Sequence, residues 1–154
     1  MTDWIRDALD TIRAAVRAEF PVAEIPDLHI NQMPQGFRRP ALYVQPIPDR
    51  TEWLTASLMG TPSSWQVVYF PKEDNLGMVD NLALLAVADR MTNALGRVPT
   101  LTSPAGVTYD VTDFSYDLRD GLGFFTADLW TSMRLEEPAA EPMRGITLEL
   151  NTKE

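Results

Sequence analysis

The chain has 154 residues, with 13 Lys and Arg against 22 Asp and Glu, one histidine and no cysteine, which is the usual size of one domain. Without cysteine there are no disulfides, thiolate zinc sites or cysteine nucleophiles, and a formal charge of −9 opposes binding to nucleic acid or anionic lipid unless a local patch overrides it. The N-terminus lacks the apolar core of a signal peptide, and no stretch approaches the ~20 apolar residues that span a bilayer, so the expectation is a soluble, cytoplasmically made protein with no membrane partner.

In chain order, Trp4, Ile5, Ala8, Leu9, Ile12, Ala15, Val16 and Phe20 recur at helical spacing, predicting an amphipathic helix capped by Thr2 or Asp3 and stopped by Pro21. LHINQM, residues 28–33, reads as a short strand. ALYVQPI, Ala41 to Ile47, reads as a second strand, and Pro46 places its end at a sheet edge or a bulge. Arg50 to Ser64 reads as a long connection rich in Thr, Ser, Gly and Pro. It carries Trp53, Leu54, Leu58 and Met59, which are costly to leave in water and so point to contact with another subunit or partner. SWQVVYF, Ser64 to Phe70, is the next strand, ended by Pro71.

Asn75 to Leu95 reads as a second helix with Asp74 as cap and Gly96 at its C-terminal end. Val79, Leu82, Ala83, Ala86, Met91 and Leu95 form one apolar stripe, with Leu84, Leu85 and Ala88 beside or opposite it. A helix apolar on more than one side is buried on more than one side, so the second group is a candidate protein contact. In VTYDVTDFSYDL, Val107, Tyr109 and Val111 alternate with polar residues, and the phase then flips to Phe114, Tyr116 and Leu118. One extra residue near Thr112-Asp113 would restore a single apolar face, as a β-bulge does. RDGLG supplies a hairpin turn into a strand from Phe124 to Leu135, with Phe125, Ala127, Leu129, Met133 and Leu135 on one face and Trp130 on the other. The expected fold is α+β, two helices packed on one largely antiparallel β-sheet in a single domain of residues 1–135. Residues 136–154 form an acidic, proline-containing spacer and a strand-like arm in which Ile146, Leu148 and Leu150 alternate. That arm must add to a sheet edge of its own domain or of a neighbour.

Few residues could carry chemistry. His29 stands alone and cannot build a multi-histidine metal site, and no G-x-S-x-G elbow supplies a nucleophile for it. Asp110, Asp113, Asp117 and Asp120 would align on a helix as a cation site. Their Val, Thr, Phe and Tyr neighbours favour a strand instead, where the acids are expected on both faces and solvated. No phosphate loop or dinucleotide fingerprint is present. No catalytic residue, metal site or cofactor is expected. Arg38 and Arg39 either anchor a partner's carboxylates by bidentate pairing or tie their loop to the strand it enters.

Two segments carry a resemblance. QGFRRPALYVQPIP (35–48), followed by SWQVVYFPKED (64–74) and a helix containing VDNLALLAVADRMTNAL (79–95), resembles the phage tail terminator proteins of long-tailed phages and related prophages. The N-terminal helix ending in Phe-Pro matches as well, whereas Trp53 to Thr61 departs in being apolar and small where more charge is expected. The resemblance implies a virion protein without catalysis. It would form a homo-hexameric ring on the head-proximal end of the tail tube, stop tube polymerisation and offer a surface for head–tail joining. Implied partners are its own copies, the major tail tube protein and a head–tail connector or head-closure protein, with genomic DNA passing through the lumen without specific binding. The alternatives are another neck component, a small hydrolase or metal-binding enzyme using His29 or the aspartates, and a generic adaptor domain.

Overall fold

Two long strands form the spine of the sheet in a computed structural model that describes residues 3–134. β4 (Leu58–Phe70) and β7 (Leu122–Arg134) pair antiparallel from Leu58↔Arg134 to Tyr69↔Gly123. Around them lie β1 (Asp27–His29), β2 (Ala41–Ile47), β3 (Glu52–Trp53), β5 (Thr100–Thr102) and β6 (Thr108–Arg119). The order is β1-β2-β4-β7-β6-β5, and β3 pairs with β4 beyond the end of β2. Every pairing is antiparallel except β1 with β2. With helices α1 (Trp4–Glu19) and α2 (Asn81–Met91), the fold is α+β, and its sheet is mixed but largely antiparallel.

One core joins both helices to one face of the sheet. Ala8, Ile12, Val16 and Phe20 come from the α1 side, Leu84, Val87, Ala88 and Met91 from α2, and Leu42, Val44, Trp65, Val67, Phe125, Ala127 and Leu129 from the strands. Burying each large side chain contributes roughly 1.5–3 kcal/mol. Ile5, placed on the apolar stripe by spacing alone, points outward. Asp3 occupies the N-cap position of α1 without a side-chain bond.

The β6–β7 hairpin follows its sequence closely. The register shifts between Val111 and Asp113, so Tyr109 and Val111 before the bulge share a face with Phe114 and Leu118 after it. The turn residues Asp120 and Gly121 have φ of 54° and 71°, as a two-residue type I′ loop requires. Pro46 lies past the end of β1, on the free side of β2, as a proline should.

Four expectations need correction. The connection Arg50–Ser64 is a hairpin, because β4 starts at Leu58, six residues earlier than Ser64. Pairing with β7 along its whole length overrides the weak strand propensity of Gly60, Pro62 and Ser63. Pro62 falls in the gap between β2 and β3, where among the described residues no partner needs its missing donor. α2 starts at Asn81, capped by Asp80, which accepts from the Leu82 and Ala83 amides. Asp74 instead holds a turn by accepting from the Leu76 and Met78 amides, with Gly77 at φ 75°, a conformation that breaks a helix. Beyond Met91 the helix widens into a π-helical segment, Thr92–Gly96. The third correction concerns the aspartates. The bulge that unites the apolar residues also gathers Asp110, Asp113 and Asp117 on the opposite face, where Asp113 stands across from Asp128. The fourth is β5, which the sequence reading did not separate from its turn.

Candidate interaction surfaces

The double-arginine segment is spent on its own chain. Arg38 reaches across to β1 and donates Nε to Asp27 Oδ2 at 3.0 Å and Nη2 to Oδ1 at 2.9 Å. That pair holds the Asp27 carboxyl below its usual range. Arg39 pairs with Glu73 at 2.8 Å, and its guanidinium lies over the Phe37 and Phe70 rings. Together they fasten the entrance of β2 to β1 and to the end of β4. Both side chains thus make the structural tie, and Arg38 remains largely exposed while it does so.

α2 splits the stripe its pattern suggested, burying Met91 but turning Leu82 outward. Leu84 and Ala88, candidate contacts by sequence, are buried against the core, whereas Leu82 is 78% and Leu85 51% exposed. Ala83 and Ala86 face outward with them. In the turn before the helix, Leu76 is 86% and Met78 64% exposed. Four large apolar side chains within ten residues are thus open to water, beside a cleft of about 440 Å³ in which Met78, Val79 and Leu84 meet the charged Lys72, Glu73 and Asp80. Exposed apolar residues gathered this way form a candidate contact surface. Of this patch the sequence marks only Leu85 as a contact and places Leu82 on the other stripe, and Leu76 and Met78 fall inside the expected helix but on neither group.

Arg90 was also missed, and it holds α2 against the end of α1. It bonds to the Glu19 carboxylate at 3.2 Å and to Glu24, and its guanidinium stacks on the Phe20 ring at 4.3 Å. The bond from Arg90 pulls Glu24 below the ordinary carboxylate range. No sequence spacing links residue 90 to residues 19 and 24.

The β3–β4 hairpin carries the other candidates. Trp53 pairs with Met59 in the ladder, Leu54 is exposed, and Leu58 and Met59 are half-buried. The Thr55 hydroxyl closes the turn by accepting from the Ser57 and Leu58 amides. The hairpin projects past the end of β2. Near that end lies a second apolar cleft of about 320 Å³, between Trp4, Ile5, Ile47, Pro62 and Trp65. Ile146, Leu148 and Leu150 lie outside the described residues.

His29 sits on β1 with its ring edge-on to Phe37. Asp7 is buried and accepts from the Tyr109 hydroxyl at 2.7 Å. Burial first, and then this bond, pushes the Tyr109 phenol well above its ordinary value. The pair locks α1 to β6. Among the described residues, no three His, Asp or Glu side chains are grouped to hold a metal ion, and no helix is long and apolar enough to cross a membrane.

The sheet surface away from the helices has a different character. Asp110, Asp113, Asp117 and Asp128 lie there with Tyr43, Val68, Phe124 and Trp130. Arg119 is held over the Phe124 ring at 4.5 Å. The molecule therefore offers an apolar patch on α2 and an acidic face on the open sheet.

A search of curated protein sequences finds no match. The family model described as phage tail terminator protein matches residues 7–141, which takes in all but the first three residues of α1, the whole of α2 and every strand described above. The chain belongs to the phage tail terminator protein family, a structural family of the phage tail.

Proposed function

We propose that this protein is the terminator ring of a phage tail. Six copies would close on the head-proximal end of the tail tube, stop its polymerisation and present a surface to the head–tail connector or head-closure protein. The observation that carries this reading is the family match over residues 7–141.

The surfaces support it. A closed ring is built from heterologous contacts, in which one patch of each subunit meets a different patch of the next. The exposed Leu76, Met78, Leu82 and Leu85 supply one such patch, and we assign it to the neighbouring copy. The acidic open face suits the lumen. Six chains at −9 each carry about −54, and aspartates facing the channel repel phosphates, so DNA slides rather than sticks. The ends of the ring then remain for the major tail tube protein and the head-side partner.

Imaging virions with an electron-dense label on this protein tests the reading. A ring of label at the junction of head and tail is the expected result. Label at the distal tip or across the capsid would overturn it.

A further inference from the structure

Among the described residues, the outer edge of β6 is open over most of its length. β5 covers Thr108 to Asp110, and the Val111 amide donates to the Pro99 carbonyl. Among the described residues nothing pairs with Thr112 to Arg119 on the side away from β7. An edge that long invites another strand. Its two faces also differ. Asp113 and Asp117 lie on one, and on the other Phe114 is half-buried and Tyr116 is 58% exposed. Beside Phe114 and Tyr116 opens a cleft of about 470 Å³ whose far wall is Thr92 and Gly96. Gly96 is needed there, because a Cβ on it would stand 2.5 Å from the Phe114 ring.

We infer that this edge receives residues Ile146–Leu150 of a second copy as an added strand. The inference rests on the ring reading and names one of its contacts. Twenty residues follow Arg134, and ITLEL alternates Ile146, Leu148 and Leu150 with Thr147 and Glu149. Strand side chains alternate between faces. Laid against β6, the three aliphatic residues fall on the side of Phe114, Tyr116 and the cleft, while Thr147 and Glu149 fall on the solvated side. Main-chain bonds supply the attachment, and the alternating side chains supply the fit.

The donor is a neighbour because of where β7 ends. Arg134 pairs with Leu58, at the opposite end of the sheet from the Arg119–Leu122 turn. To reach its own β6 edge, the chain would have to pass around the end of β6, where β5 and the Ser103–Val107 turn already lie. It would then run parallel to β6, the less stable pairing. Directed outward, residues 135–145 span up to roughly 36–40 Å, enough to reach an adjoining subunit and pair antiparallel.

The absence of cysteine makes the test direct. Cysteine is placed at 113, 115 or 117 in one preparation and at Thr147 in another, and the two are mixed during assembly under mild oxidation. At one of the three positions a disulfide-linked species of twice the chain mass is expected, depleted at least tenfold when residues 146–150 are replaced by Gly and Ser. A chain carrying both cysteines that cross-links only within itself would overturn the inference, as would ring-sized particles with no cross-link at any position. If the unmodified protein forms no ring on tails, the functional reading fails first and this inference with it.

Discussion

The two sides of α2 are nearly equal in apolar content, yet only one is buried. Leu84, Val87, Ala88 and Met91 close the core, while Leu82 and Leu85, on the same helix, face water with Leu76 and Met78. The difference teaches that apolar residues here serve two separate ends. One side holds the monomer together. The other packs against nothing among the described residues, and under the proposed function it is the side left for a neighbouring copy. Substitutions on the two sides should therefore separate folding from assembly.

The largest effect on stability is expected on the inner side. Met91 is fully buried, so Met91→Ala should cost about 2–5 kcal/mol, read as a lower midpoint in urea unfolding. A loss below 1 kcal/mol would mean that α2 is not packed as described. Next comes the lock between α1 and β6. Tyr109→Phe leaves the buried Asp7 carboxylate without its phenol donor, and about 1–3 kcal/mol should be lost. Above pH 10, the ordinary tyrosine value, the gap to wild type should narrow. A phenol whose folded pKa is raised contributes stability that is full below the unfolded value and is lost as pH rises beyond it.

A smaller effect attends the Arg90 tie. Glu24 is held below its ordinary value of 4.5 by Arg90, so its contribution is present above that pH and lost as pH falls through the lower folded value. Both partners are partly exposed, which limits the pair to about 1 kcal/mol or less. The stability gap between wild type and Glu24→Gln should shrink below about pH 4.5; a gap constant from pH 7 to pH 3 would remove the electrostatic account. The smallest stability effect is expected on the outer side. The double variant Leu82→Ser, Leu85→Ser should unfold within about 0.5 kcal/mol of wild type yet fail to complete tails. Normal tails from that variant would assign the patch no role in assembly.

The same contrast explains what was legible in the sequence. α1 and the β6–β7 hairpin were readable because polar and apolar residues alternate at one clear period and because Asp120-Gly121 demands its turn, and β2 because its aliphatic and aromatic run favours a strand. Even the bulge showed, as a slip of phase between Val111 and Phe114. α2 was not readable in the same way. Its surface is apolar almost all round, so periodicity could not say which side meets the sheet. The expected cap, Asp74, lies six residues before the real one, Asp80, because Gly77 between them takes a positive φ that breaks a helix. The first half of β4 was hidden because Gly60, Pro62 and Ser63 form a strand only when β7 lies beside them. The interaction surface was legible as an excess of apolar residues, but not as particular residues, since only the packed fold shows which of them are left outside.

The central claim is that the protein ends the tail tube. It is tested most directly by the length of tails assembled when this protein alone is withheld. The account predicts tubes extended past their normal length and not joined to heads, with normal length restored by adding the purified protein. Tails of normal length joined to filled heads in its absence would contradict it.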